Sequence, residues 1–263
     1  TPFAVISDKA NNRKYPIADY SLTPTVAIVD PALVLTVPGS VAADTGMDVL
    51  THATEAYVSQ MASDFTDGLA LQAIKLVFEN LESSVKNADF HSREKMHNAS
   101  TIAGMAFANA FLGISHSMAH KIGAQFHTIH GRTNAILLPY VIRYNGTRPA
   151  KTATWPKYNY YRADEKYQDI ARMLGLPCST PEEAVDAYAK AVYELGERCG
   201  IEMNFKAQGV DEKEWKKHSR ELAFLAYEDQ CSPANPRLPM VDHMQEIIED
   251  AYYGYKERPG RRK

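Results

Sequence analysis

Cysteine is scarce in this 263-residue sequence: three residues, Cys178, Cys199 and Cys231, lie far apart. An odd, scattered set excludes a disulfide framework and a CxxC zinc site. It points to a reducing compartment, the cytoplasm. Long apolar runs are also missing, and nothing approaches the roughly 18–20 residues of a membrane span. No signal-peptide pattern is visible. The formal net charge is only −3, which argues against a basic field for nucleic acid or anionic membranes. Neither GxGxxG nor GGGS occurs, so no glycine-rich phosphate loop can be placed here. HExxH is absent too, which removes a zincin. The chain opens on Thr1-Pro2-Phe3 without Met or a helix start, and reads as cut from something longer.

What is present is a helical texture. Hydrophobic residues make up 45%, enough for a sizeable core. Residues 1–36 read as short strands, at 3–8, within 11–19 after an Asn-Asn turn, and at 23–31 between prolines. From about residue 40 the apolar spacing turns helical. Helices are predicted at 44–61, 66–85, 93–113, 117–125, 133–144, 164–174, 181–199, 211–228 and 240–253. Thr66 and Asp67 read as caps of the second, and Gly175, Gly200 and Gly254 as C-terminal stops of three others. Residues 147–160 read as a loop, Tyr158, Tyr160, Tyr161 and Tyr167 as packing, and 256–263 as a solvated basic tail. Cys231 falls on a loop and reads as an ordinary thiol. The fold class is therefore mainly α, with 1–36 as remnant strands of another unit and 37–263 as an all-helical domain.

Four of the nine histidines, His116, His120, His127 and His130, crowd into fifteen positions. His116 and His120 are four apart and share a helix face. His130 is fourteen residues after His116, roughly 21 Å away on one straight helix. A shared ion therefore requires the helix to end between them and the chain to turn back, and Gly123 and Gly131 make such a break possible. Imidazoles that bind a divalent cation usually take a carboxylate as complement. In "MDVLTH" (47–52) Asp48 and His52 stand at i and i+4 on the first long helix. Asp48, His52, His116 and His130 thus form a candidate set of one carboxylate and three imidazoles, suited to Fe2+ or Zn2+. His120 and His127 would stand nearby, ordering substrate or relaying a proton. "HATE" (52–55) is no di-iron motif, because its order is reversed and it occurs once.

The stretches "GMDVLTHATEAYVS" (46–59) and "GISHSMAHKIGAQFHTIHGRTNAILLPYVIRYN" (113–145) closely resemble the two metal-binding segments of iron-dependent alcohol dehydrogenases. "TPFAVISD", "KYPIADYSLTPTVAIVDPALVLTVP", "PKYNYYRADEKYQDIARMLGL" and "EDQCSPANPRLP" resemble, more narrowly, the alcohol dehydrogenase half of bacterial bifunctional aldehyde–alcohol dehydrogenases. The resemblance implies the dehydroquinate synthase-like fold of that family, with Asp48, His52, His116 and His130 as ligands of Fe2+, zinc being an alternative. It implies His120 and His127 as active-site histidines, Lys14 as a contact to the cofactor ribose, and Val5 and Leu33 as weaker cofactor contacts. Ile129 and Arg132 depart from the family pattern, and Arg132 puts a cation beside a ligand.

The reaction so implied is interconversion of a small alcohol and aldehyde, ethanol and acetaldehyde, with NAD(H). The cation acts as Lewis acid on the substrate oxygen, and the apolar wall at 104–113 favours a small alkyl group. The implied partners are preceding nucleotide-binding and aldehyde dehydrogenase domains and further copies in an oligomer or filament. The chain by itself is expected to hold the metal and to bind cofactor poorly. Two other readings stand beside this one: a hydrolase or lyase whose metal activates water, without need of NADH, and a helical assembly module without activity.

Overall fold

A computed structural model describes residues 1–8, 13–149 and 161–254. The chain starts with a hairpin, β1 (Phe3–Asp8) and β2 (Arg13–Ala18), antiparallel with Phe3 opposite Ala18 and Asp8 opposite Arg13. Phe3 ties the hairpin to the helices, its ring 5.6 Å from Phe107 and 5.4 Å from Phe111. The third strand expected over 23–31 does not form. That stretch runs as irregular backbone into a 3-10 turn (Pro31–Val34) capped by Asp30, with Val26 and Ile28 exposed. Prolines at both ends withhold donors, and a β-type run needs a partner strand to become one. Tyr158, Tyr160 and the tail at 256–263 fall outside the described residues.

Nine helices follow among the described residues: α1 (Gly39–Val58), α2 (Asp64–Lys86), α3 (Phe90–Ala110), α4 (Ile114–Phe126), α5 (His130–Gly146), α6 (Ala163–Met173), α7 (Pro181–Arg198), α8 (Glu212–Tyr227) and α9 (Val241–Tyr253). Local chemistry sets their ends. Ser63, not Thr66 or Asp67, caps α2: its side chain accepts from the Thr66 amide, while the Thr66 hydroxyl accepts from the Ser63 amide. That reciprocal pair satisfies two orphan donors at once. Gly175, Gly200 and Gly254 take φ of +69°, +80° and +99° just after α6, α7 and α9, as helix-ending glycines do. α3 stops three residues before its predicted end, because Phe111 turns left-handed at φ 62° and the chain reverses into α4.

Two apolar cores result. One joins α1, α2 and α3 to α6 and α7 through residues such as Leu50, Ile74, Leu81, Tyr188 and Leu195. The other joins α4, α8 and α9 through Met118, Ile122, Trp215 and Ile248. α5 serves both: Leu138 and Ile142 face the first, Leu137 and Val141 the second. The helix is buried on nearly every side, and its N-terminus is delivered to the seam where α1 and α4 also meet. Among the described residues no single helix is long and apolar enough to cross a membrane.

Candidate metal centre

Three helices bring the centre together. On α1, Asp48, His52 and Glu55 stand at i, i+4 and i+7 and therefore on one face. α4 presents His116 in its first turn, and α5 begins at His130 itself. The helix break required by the His116–His130 spacing is made at His127, which ends α4 with φ 55° and ψ 31°. α5 can then approach α1 closely because Gly131 has no side chain. A Cβ there would lie 2.2 Å from the Asp44 carbonyl oxygen.

The ligand atoms of Asp48, His52 and His116 all lie within 4.8 Å of one another. Asp48 Oδ1 is 3.7 Å from His116 Nε2 and 3.7 Å from His130 Nε2. The His116 and His130 rings are 5.4 Å apart between centroids. His130 thus joins through Asp48 from the outer side and lies outside the tighter trio. His52 is held flat between two rings, Phe107 at 4.6 Å and His116 at 4.5 Å.

Among the buried side chains of the interior side, Glu55, Ser115, His116 and Asn134, one polar atom lacks a partner. His116 Nδ1–H donates to Glu55 Oε2 at 2.6 Å, and Glu55 Oε1 accepts the Ser115 amide at 2.7 Å. Glu55 therefore also caps α4, whose N-cap residue Gly113 has no side chain to do so; a Cβ on Gly113 would sit 2.8 Å from Glu55 Oε1. Asn134, one turn after His130, donates to Asp48 Oδ1 at 2.8 Å and touches His130 Nε2 at 3.3 Å. His116 Nε2 is left buried with no hydrogen-bond partner. A buried polar atom without a partner is uncommon and calls for an explanation. Here the lone pair faces a carboxylate and two more imidazoles, a donor set that fits a first-row divalent cation.

Electrostatics agree with that fit. Burial pushes the Asp48 carboxyl up, but the imidazoles of His52, His116 and His130 outweigh it, and Asp48 ends below its ordinary value. Burial, aided by His52, drives the His116 imidazole well below its usual range against the opposing pull of Asp48. A cation ligand must be deprotonated, and these shifts keep both residues so. Burial raises Glu55 to about 7, opposed by the amides of Gly113 and Ser115.

The outer side is looser. His120 donates Nδ1–H to Asp229 Oδ2 at 3.2 Å and stacks on His130 at 5.5 Å, nearly parallel. His127 is exposed on the turn after α4 and lines a cavity of about 450 Å3 with Phe126, Phe205 and Asp211. Arg132 is not a free cation beside His130. Its guanidinium donates to both oxygens of buried Asp44, at 2.8 and 3.1 Å, and clamps α5 to α1. Cys231 is buried, and burial pushes its thiol up. Leu33 is exposed on the 3-10 turn; Val5 and Lys14 lie in the hairpin, and their side chains fall outside what is described.

Three residues of the site escaped the sequence reading. Glu55 continues the Asp48–His52 stripe and Asn134 follows His130 by four, so both carried a spacing signal. Asp229, 109 residues from His120, carried none.

Comparison with known proteins bears on the family and the fold. The family profile "Fe-containing alcohol dehydrogenase family, C-terminal" matches residues 42–252. The chain is 95% identical over its whole length to the aldehyde-alcohol dehydrogenase of Streptococcus pneumoniae serotype 2 (strain D39 / NCTC 7466), of which it spans 30%. It is 45% identical over 97% of its length to the bifunctional aldehyde-alcohol dehydrogenase of Escherichia coli (strain K12), spanning 29% of that protein. An iron-containing alcohol dehydrogenase structure from Thermococcus thioreducens superposes with a TM-score of 0.83 at 35% identity, over 97% of this chain and 61% of the other. The seam that gathers Asp48 and three imidazoles is thus set in a shared fold, and the chain belongs to the Fe-containing alcohol dehydrogenase family.

Proposed function

We propose that Asp48, His52, His116 and His130 together hold one divalent cation, iron by family, and that the centre oxidises a small alcohol or reduces the matching aldehyde, ethanol and acetaldehyde in the first instance. The observation that carries this reading is His116 Nε2: buried, unbonded, its opposite nitrogen locked by Glu55, its lone pair turned toward Asp48. When bound, the cation would act as a Lewis acid on the substrate oxygen, and NAD(H) would take or give the hydride.

The chain's own residues do the rest. Asp48 supplies the negative charge that three neutral imidazoles lack. Glu55 keeps the His116 ring from turning, and Phe107 keeps His52 flat. Phe107 and its neighbours in 104–113 form an apolar wall suited to a short alkyl group. His120, 30% exposed at the open side, exchanges the proton of the substrate hydroxyl. His127 stands farther out and orders the approaching substrate. Lys14, Val5 and Leu33 contact the cofactor where residues 1–36 complete a nucleotide-binding unit beside the catalytic unit of 37–263. The partners are the preceding nucleotide-binding and aldehyde dehydrogenase domains of a longer protein and further copies of it. The reaction is cytoplasmic, in keeping with three free thiols. Without a glycine-rich phosphate loop, this chain alone holds the metal and binds NAD(H) poorly.

The test is elemental analysis of wild type and His116→Ala purified without oxygen. Near-stoichiometric iron or zinc in the first and its loss in the second supports the centre; equal metal in both sinks it. Aldehyde reduction that requires NADH, measured in the longer protein, separates the dehydrogenase from a metal hydrolase.

A further inference from the structure

Asp229 is buried, yet its carboxylate meets the half-exposed outer side of the centre. Oδ2 accepts His120 Nδ1–H at 3.2 Å and Lys121 Nζ at 2.8 Å, and Oδ1 accepts the Cys231 amide at 3.1 Å. Three donors from two segments therefore fix where the carboxylate points. An imidazole that gives its Nδ1 proton to a carboxylate carries its lone pair on Nε2. Among the described residues no contact engages Nε2, and the ring lies parallel to His130 at 5.5 Å.

We propose that Asp229 is the positioning residue of His120: it fixes the Nδ1–H tautomer and ring orientation, so that the Nε2 lone pair faces the substrate side of the cluster. This rests on the reading of the centre given above. A carboxylate is required because asparagine cannot satisfy all three donors. With its oxygen toward Cys231, its amide faces Lys121 and His120 Nδ1–H, donor against donor. Flipped, its amide faces the Cys231 amide. Either way a bond is lost, but the flipped asparagine still accepts His120 Nδ1–H and keeps the tautomer, so only a side chain without an acceptor, such as alanine, releases the ring. Lys121 serves only to hold the carboxylate, so Lys121→Met leaves the tautomer in place.

The tautomer can be read directly by long-range proton–nitrogen NMR on the chain labelled with 15N-histidine, metal-free or zinc-loaded, with His120 assigned through His120→Gln. Wild type and Lys121→Met are expected to show a protonated Nδ1 and a bare Nε2 on His120. Asp229→Ala, which removes the acceptor, is expected to shift the ratio toward Nε2–H by about tenfold or more. In the longer protein, the same substitution should lower kcat by about ten- to hundredfold, with KM nearly unchanged and metal content intact. An Nε2–H tautomer in wild type overturns the proposal, and that spectrum decides even if the variant does not fold. An unmoved tautomer in Asp229→Ala, or loss of metal from it, also overturns it. A chain that binds no metal yet keeps the Nδ1–H tautomer sinks the reading of the centre and leaves this one standing; a metal-loaded chain with Nε2–H does the reverse.

Discussion

The inner and outer sides of the histidine cluster are built differently. Inside, Glu55, Ser115, His116 and Asn134 are buried, and His116 Nε2 is the one side-chain polar atom among them without a partner. Outside, the His120 and His130 side chains are 30% and 42% exposed, and His127 is exposed on a left-handed turn. A rigid inner side fixes where a cation would sit before any cation arrives. An open outer side leaves room for a substrate and a proton path. The effects of substitution should therefore shrink from the inner side to the outer.

The largest effect is expected outside both sides, at the clamp that joins α5 to α1. Arg132→Met strands the buried Asp44 charge and should cost about 3–5 kcal/mol of stability, read as a fall in the urea midpoint; an unchanged midpoint would show that the clamp holds nothing. Next is Glu55→Gln, which leaves one acceptor oxygen where the His116 ring and the Ser115 amide each had their own. Affinity for zinc in a competition titration should drop about 10- to 100-fold, and an unaltered affinity would mean the inner side is not preset. Within the ligand set, His130→Ala should weaken zinc binding by about tenfold less than His116→Ala, since the His130 ring is more exposed and more easily replaced by water. Equal losses would erase the distinction drawn here. The smallest effect belongs to His127→Gly. Metal content should not change, and relief of the left-handed backbone should raise stability by up to about 1 kcal/mol; a loss of metal would move His127 to the inner side.

The sequence carried the helices well, because each hides an apolar stripe long enough to show its period, and the glycine stops sit where left-handed backbone is needed. The Asp48–His52 pair was legible for the same local reason. The strand expected over 23–31 failed because strand formation depends on a neighbour that periodicity cannot supply. Arg132 looked like a loose charge near a ligand, since nothing local announces that Asp44, 88 residues earlier, would accept it. Asp229 was hidden for the same cause. What the sequence conceals here is the contacts that reach from one helix to a distant segment.

The most direct test of the shared cation is anomalous diffraction at the iron edge from crystals of the iron-loaded chain. The account predicts one peak within about 2.0–2.3 Å of an Asp48 oxygen and of ring nitrogens of His52, His116 and His130. A peak among His120, Asp229 and Cys231 instead, or none near Asp48, would contradict it.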